Sequence, residues 1–186
     1  VSRHAVPFFT TDANELINHP DINSIYIATP PSSHLNYIKK SIQAGKNLYV
    51  EKPLCITVSE AVEIKDLLMS SGTKLSVAHY RREHSYFKTI KNIIDEGRIG
   101  TPIWASLKYY RKPFTTDDLK LSRNRWRVDP AISGGGLFYD LAPHQIDLML
   151  YLFGEPTEYS GKSFHTQKIY PAADTTTGYI RFESGL

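Results

Sequence analysis

The first eighty or so residues alternate between short apolar runs and segments of helical periodicity. Residues 25–29 are apolar and rich in β-branched side chains, and they end at two prolines, which indicates a buried strand. Apolar residues then recur at helical spacing from His34 until Gly45, and residues 47–50 predict a second strand. A strand, a helix and a strand this close together form a βαβ unit with parallel strands.

The alternation continues through one more helix and strand. Thr57 or Ser59 can cap a helix whose apolar residues lead to Gly72, and residues 74–79 follow as a third strand. We therefore expect half of a doubly wound parallel sheet and place a domain boundary near Tyr80.

Beyond this boundary the pattern no longer favours parallel strands. A helix is predicted to end at Gly97, and longer strand-like runs follow, the last two joined by a Pro-Ala-Ala-Asp turn that suggests an antiparallel sheet. The predicted elements are a helix over residues 85–96 and strands over residues 103–110, 164–170 and 175–182. The fold class is therefore α/β, followed by an α+β region.

Composition and charge narrow the class of protein. A hydrophobic content of 41% and a charged content of 22% are typical of a folded globular protein, and a net charge of +3 is weak evidence for a nucleic-acid partner. The single cysteine, Cys55, cannot form an intramolecular disulfide. No long apolar run or signal segment occurs, so we expect no membrane partner and a cytoplasmic location.

Two polar segments follow the first two predicted strands. In open α/β sheets ligands gather beyond the carboxyl ends of the strands, so Thr29 and Lys52 fall at an expected binding crevice. A lysine there can donate to a hydroxyl or carbonyl oxygen and, once desolvated, can join proton transfer. A charged turn after an edge strand explains the sequence Glu51-Lys52-Pro53 equally well.

A predicted helix over residues 140–153 carries a polar stripe on an otherwise apolar surface. The stripe has spacings of four, three and four and comprises Asp140, His144, Asp147 and Tyr151. It must face a cleft or paired partners, and an imidazole between carboxylates suits general acid–base chemistry. Alternatively, Asp140 is an N-cap, Pro143 lies in the first turn and His144 is a satisfied core histidine.

The segments before this helix leave several functions open. Glycines 134–136 form a flexible loop or allow the backbone to approach a ligand, and the chain has no Gly-x-Gly-x-x-Gly signature. Arg123, Arg125 and Arg127 allow three interpretations: a nucleic-acid contact, a loop that places Trp126 and Arg127 over a cofactor or sugar, or a solvated loop. The cluster is short and isolated, which argues against the first, and we expect no nucleic-acid partner. The histidines lack metal-binding spacing, so we expect no metal site.

Three ordered motifs resemble the Gfo/Idh/MocA family of oxidoreductases, which includes glucose-fructose oxidoreductase and inositol dehydrogenase. They are Ala-Thr-Pro-Pro with His34 downstream, Glu51-Lys-Pro53, and Gly-Gly-Gly followed by Asp-x-x-x-His. The resemblance covers essentially the whole chain. It implies an incomplete Rossmann-type parallel sheet over residues 1–79 that binds NAD or NADP. Residues 80–186 would form part of an α+β domain with an open, mainly antiparallel sheet that often makes oligomer contacts.

The resemblance also implies a role for individual residues. Lys52 would hydrogen-bond the reacting hydroxyl and the nicotinamide ribose, His144 would exchange the alcohol proton, and Asp140 would orient the substrate and His144. The positions that match the cofactor site are Thr29, Pro30, His34, Glu51, Lys52, Pro53, Trp126 and Arg127. The substrate-side positions are Tyr80, Arg81 and Asp147. Ala142 stands where the family often has glycine.

The expected function is hydride transfer between a nicotinamide cofactor and a sugar, polyol or related hydroxy compound, by a homo-oligomer. An NAD-dependent glycosidase of the same fold is an alternative. The chain begins at Val1 rather than methionine, and both ends are expected to be cut, with the glycine-rich phosphate-binding turn preceding Val1. A catalytically incapable fragment that serves as a binding or assembly module is therefore a third hypothesis.

Overall fold

The computed structural model of the chain describes residues 6–186. The chain divides into two compact units, Val1–Ala78 and His79–Leu186. Each unit has its own sheet: the first contains three parallel strands and the second contains two antiparallel strands. The predicted α/β fold with a Rossmann-type parallel sheet and a separate antiparallel sheet is thus confirmed.

The first unit alternates strands and helices as the apolar pattern predicts. Its three strands lie side by side in chain order, with parallel pairing throughout. Thr57 accepts a hydrogen bond from the amide of Glu60 and caps the helix Val58–Ser71, and Gly72 ends that helix with a φ of 69°. The elements are α1 (Ala13–Ile17), β1 (Ser24–Ile27), α2 (His34–Gln43), β2 (Asn47–Val50), α3 (Val58–Ser71) and β3 (Leu75–Val77), with a 3₁₀ turn at Pro31–Ser33 before α2.

The core of the first unit lies between one face of the sheet and the helices. In β1 and β2 every second residue is buried, as expected for strands with one covered face. Their buried side chains pack against apolar residues of α2 and α3, above all Ile38 and Ile64, which are 0% and 1% exposed. This packing fixes the positions at which the chain leaves the carboxyl ends of β1 and β2.

The second unit is dominated by one long helix. This helix, Leu137–Phe153, is 17 residues long and buries Leu148 and Leu152. The elements of this unit are α4 (Ser85–Asp95), α5 (Thr116–Lys120), α6 (Ser122–Arg125), α7 (Pro130–Ser133), α8 (Leu137–Phe153), β4 (Pro156–Phe164) and β5 (Thr175–Phe182), with 3₁₀ turns at Tyr80–Glu83 and Trp126–Val128. Within residues 6–186, no helix combines the length and the apolarity needed to cross a bilayer.

The prediction of a strand over residues 103–110 is wrong. The segment has no regular secondary structure, and no segment among residues 6–186 pairs with it. Ile103, Trp104 and Tyr110 are 84%, 78% and 86% exposed, so neither side of the run is covered. A β-rich composition alone does not form a strand, because a strand needs a partner for its backbone groups and a surface on which to pack.

The prediction of a strand over residues 164–170 is also wrong, because β4 ends at Phe164. The chain then turns back. The Asp174 carboxylate accepts hydrogen bonds from the backbone amides of Gln167 and Thr166, at 2.6 and 2.8 Å. These two hydrogen bonds lower the pKa of Asp174 to about 2. All nine residues of β4 are exposed, so this strand lacks the alternation of apolar and polar residues that would have revealed it.

The polar helix begins earlier than predicted. Helix α8 starts at Leu137 with Gly136 as its N-cap, so Asp140 lies in the first turn and Pro143 lies inside the helix. The alternative in which Asp140 is the N-cap and Pro143 falls in the first turn is therefore wrong. The helical spacing of the polar stripe is unaffected, because Asp140, His144, Asp147 and Tyr151 all lie within α8.

Candidate functional site

In the first unit, polar groups gather where the chain leaves the parallel sheet. Strands β1 and β2 are in register, with Ile27 opposite Val50, so their carboxyl ends lie at the same edge. Thr29 is exposed there, and its hydroxyl accepts a hydrogen bond of 2.7 Å from the hydroxyl of Ser33. The segment after β2 contains Lys52 and Pro53, joined by a cis peptide bond, and both residues are half-buried.

His34 joins the segment that follows β1 to the segment that follows β2. Its Nε2 lies 2.8 Å from the Thr29 carbonyl oxygen, and its Nδ1 lies 3.1 and 3.2 Å from the carbonyl oxygens of Pro53 and Leu54. The residue is 0% exposed, as expected for the first residue of α2, whose inner face packs on the sheet. Complete burial favours a role in positioning these two segments over direct contact with a cofactor.

Replacing His34 with alanine is expected to destabilise the protein by about 2–4 kcal/mol, because it leaves a cavity and removes hydrogen bonds to partly buried carbonyl groups. The measurement is the urea midpoint of the full-length protein. Ser32→Ala, at an exposed position of the same segment, is the matched control and should change stability by less than about 0.5 kcal/mol. Equal midpoints for the two variants would contradict the bridging role of His34.

Glu51 links Tyr26 to the backbone of Lys52. The Tyr26 hydroxyl donates to Glu51 Oε1 at 2.6 Å, and the amide of Lys52 donates to Glu51 Oε2 at 3.2 Å. The bond to the carboxylate and the nearby negative charge raise the pKa of Tyr26 to about 12. The phenol therefore stays a hydrogen-bond donor throughout the physiological pH range.

In the second unit, the polar stripe of α8 lies against arginine side chains. Asp140 accepts a hydrogen bond of 3.1 Å from Arg127 Nε, and the Asp140 side chain is only 14% exposed. The guanidinium of Arg127 also packs over the Trp126 ring at 4.3 Å and donates to the backbone oxygen of Arg123. Arg127 is thus held between Asp140 and the Trp126 ring. The three interpretations of this arginine-rich segment stay predictions.

His144 lies one turn farther along α8, among aromatic rings. It is 5% exposed, and its ring packs edge-on against Tyr80 and His79 with centroid distances of 5.5 and 6.4 Å. Tyr80 is 50% exposed, so one part of this cluster reaches solvent. An imidazole can donate or accept a proton, so this cluster offers a group for acid–base chemistry beside a half-exposed phenol ring.

Asp147 is held by a residue that the sequence analysis missed. Arg82 donates to both carboxylate oxygens, from Nε at 3.1 Å and from Nη2, and its guanidinium also lies 5.6 Å from the centre of the Tyr151 ring. His79 Nδ1 lies 3.8 Å from the same carboxylate. Asp147 is 7% exposed, which favours a role in holding the 3₁₀ turn Tyr80–Glu83 against α8 over direct substrate contact.

The sequence offered only a general signal for Arg82. Tyr80 and Arg81 are the residues predicted on the substrate side. The arginine that pairs with Asp147 is instead Arg82, which lies 65 positions before Asp147 in the chain. No local spacing reveals such a pair. The available signal was that a carboxylate on the inner face of a helix requires a cation or several donors.

The glycine triplet has a structural explanation. A Cβ on Gly135 would lie 2.2 Å from the Tyr139 ring, and a Cβ on Gly136 would lie 2.3 Å from the Cβ of Ala172. Gly136 also has a φ of 88°, where other residues are strained. Gly134, with a φ of 89°, and Gly136 are thus favoured as glycines at the turn into α8, whereas the exposed Tyr139 ring can move away from a Cβ on Gly135. Within residues 6–186, no three acidic, histidine or cysteine side chains are grouped as metal ligands.

Two family models match the chain, one for each unit. The model described as "Oxidoreductase family, NAD-binding Rossmann fold" matches residues 2–79, and the model described as "GFO/IDH/MocA C-terminal domain" matches residues 87–186. The chain belongs to the GFO/IDH/MocA family. The resemblance that the three sequence motifs indicated is therefore confirmed.

Proteins similar to this chain are named as oxidoreductases and dehydrogenases. Oxidoreductase P35 of Formosa agariphila is 40% identical over 100% of this chain and 57% of its own length. The NAD⁺-dependent scyllo-inositol 2-dehydrogenase of Bacillus subtilis is 32% identical over 95% of this chain and 50% of its own length. A solved structure of levoglucosan dehydrogenase in complex with NADH and levoglucosan is 27% identical in sequence to this chain, with a TM-score of 0.80. The match covers 99% of this chain and 51% of the levoglucosan dehydrogenase chain.

The chain spans about half the length of these GFO/IDH/MocA relatives. The family and the fold follow from the comparisons.

Proposed function

We propose that the protein containing this chain transfers hydride between NAD or NADP and a sugar, polyol or related hydroxy compound. The observation that carries the proposal is the placement of Lys52. Lys52 lies at the carboxyl edge of a parallel sheet, in a segment whose backbone forms hydrogen bonds with Glu51 and His34. The unit that contains this segment matches an NAD-binding family model. Such edges are where α/β folds bind their ligands.

The side chains at this edge fit the nicotinamide half of such a cofactor. The Thr29 hydroxyl and the Lys52 ammonium offer donors for ribose hydroxyls, and the pyrrolidine rings of Pro30 and Pro53 offer a rigid apolar surface beside them. Glu51 and His34 would act by holding these groups in place. When bound, the cofactor supplies the acceptor or donor of hydride.

The residues of the chain supply the proton chemistry. We assign to Lys52 a hydrogen bond to the reacting oxygen, which stabilises negative charge on that oxygen in the transition state. We assign to His144 the exchange of the alcohol proton, which a histidine can perform near neutral pH. Asp140, paired with Arg127, is assigned to the orientation of His144 and the substrate, and Trp126 to the wall of the site beside Arg127.

The substrate class rests on the named relatives, which act on an inositol and on levoglucosan. Tyr80 supports the class because its half-exposed ring, beside His144, can stack on the C–H face of a sugar ring. Arg81 adjoins it in the same 3₁₀ turn as a further candidate for substrate contact. Asp147 acts indirectly by holding Arg82 and this turn in place.

The full-length protein tests the proposal in two steps. Fluorescence titration with NADH and NADPH should show micromolar binding of at least one of them. A panel of sugars, inositols and anhydrosugars should then give reversible cofactor reduction with at least one compound. Absence of binding for both cofactors would refute the proposal and favour a binding or assembly module. Release of a free sugar without net cofactor reduction would instead identify a glycosidase.

A further inference from the structure

We propose that Tyr26 is a positioning residue for Lys52 and acts through the carboxylate of Glu51. This inference rests on the proposed role of Lys52 in the oxidoreductase reaction. Tyr26 lies on β1, whereas Lys52 follows β2, so the proposal concerns a connection between neighbouring strands rather than along one segment.

The pleat of the sheet brings the side chains of Tyr26, Tyr49 and Glu51 together. Tyr26 is the partner of Tyr49 in the parallel register, and Glu51 follows Tyr49 by two residues, which places all three side chains on one face of the sheet. The Tyr26 hydroxyl reaches Glu51 Oε1 at 2.6 Å. The other oxygen of the carboxylate accepts the amide of Lys52 at 3.2 Å. One carboxylate thus connects the hydroxyl to the Lys52 backbone.

The hydroxyl fixes which way this carboxylate points. A bond from a phenol to an ionised carboxylate is stronger than one between neutral groups, and here it is short. Because Glu51 is an otherwise rotatable side chain, loss of the hydroxyl frees the carboxylate to turn towards water. The amide of Lys52 would then lose its acceptor for part of the time.

A second contact holds the same segment from the other side. The carbonyl group of Pro53, directly after Lys52, faces the buried ring of His34 at 3.1 Å. Lys52 is therefore held at its own amide by Glu51 and at the next residue by His34. Removing the Tyr26 hydroxyl releases only the first of these contacts, so the fold is retained while the direction of Lys52 becomes less defined.

The neighbouring Tyr49 is a matched control. Its ring packs against that of Tyr26 with centroids 5.4 Å apart on the same face of the sheet, and the two residues are 40% and 57% exposed. Changing either residue to phenylalanine removes one hydroxyl from this face and keeps both rings. The carboxylate of Glu51 loses its phenol donor only in Tyr26→Phe.

The experiment compares the full-length wild type with Tyr26→Phe, Tyr49→Phe, Glu51→Gln and the Tyr26→Phe/Glu51→Gln double variant. Hydrogen-exchange mass spectrometry at single-residue resolution follows the Lys52 amide. This amide should exchange about fivefold faster in Tyr26→Phe and at the wild-type rate in Tyr49→Phe. In assays with a sugar or polyol that the wild type turns over, kcat should fall about fivefold in Tyr26→Phe, with the cofactor KM changed by less than about twofold.

The double variant separates action through Glu51 from a general effect on the sheet. If Tyr26 acts through the carboxylate, adding Tyr26→Phe to Glu51→Gln should lower kcat by less than about twofold further. Additive losses in kcat, or an unchanged exchange rate of the Lys52 amide in Tyr26→Phe, would overturn the proposal. If the wild type reduces neither cofactor with any compound, the proposed function fails, and the exchange rates alone then decide whether Tyr26 positions Lys52.

Discussion

Replacing Lys52 with alanine in the full-length protein is expected to lower kcat by about 10³-fold while cofactor binding stays measurable. The segment that carries Lys52 is held by Glu51 and His34, so truncating the side chain should leave the backbone in place. What is lost is a charged donor to the reacting oxygen. That interaction strengthens as negative charge develops in the transition state, so the loss falls on turnover more than on binding.

The measurements are steady-state kinetics and an NADH or NADPH titration of the same preparation. Lys65→Ala is a suitable control, because Lys65 is an exposed lysine on α3 and its removal changes the net charge by the same amount. We expect kcat of this control within about twofold of the wild type. Turnover of the Lys52 variant within about tenfold of the wild type would rule out the assigned role.

Replacing His144 with glutamine is expected to lower kcat by about 10²- to 10³-fold, because the variant retains a polar side chain but cannot accept and return a proton. His144 is 5% exposed and packs against Tyr80 and His79, so glutamine is preferable to alanine, which would leave a cavity. Cofactor affinity should change little, since the assigned role concerns the alcohol proton.

His84→Gln provides the comparison for His144. His84 also packs against the Tyr80 ring, at a centroid distance of 5.7 Å, but it is exposed. We expect this control to keep kcat within about threefold of the wild type. Thermal unfolding of both variants shows whether the fold is intact. Equal activities of the two histidine variants, with both folded, would exclude His144 as the proton-exchanging group.

Much of the first unit could be predicted because its signals are local. The β-branched runs, the cap at Thr57 and the left-handed residue at Gly72 each depend on a few neighbouring residues. The motifs around His34, Lys52 and His144 indicated the family, which both family models confirm. The helical spacing of Asp140, His144 and Asp147 likewise depends only on the period of the helix.

The errors fall where structure depends on distant partners. Residues 103–110 have a β-rich composition but no strand beside them among residues 6–186, and β4 is a strand although its side chains are all exposed. In β4 the pairing with β5 supplies the hydrogen bonds that define the strand, whatever the polarity of its side chains. The pattern of apolar residues indicates which side chains are buried, so it does not predict a strand that pairs with a neighbour while its side chains stay exposed.

The amino-acid sequence by itself determined the α/β fold, the family and the candidate residues Lys52, Asp140 and His144, because periodicity and short motifs are properties of neighbouring residues. The tertiary structure alone decided which distant groups the polar side chains contact. It showed that His34 is a buried bridge, that Arg82 holds Asp147 and that Tyr26 reaches Glu51. These pairs lie 5 to 65 residues apart, and they form only when packing of helices and strands brings their side chains within hydrogen-bonding distance.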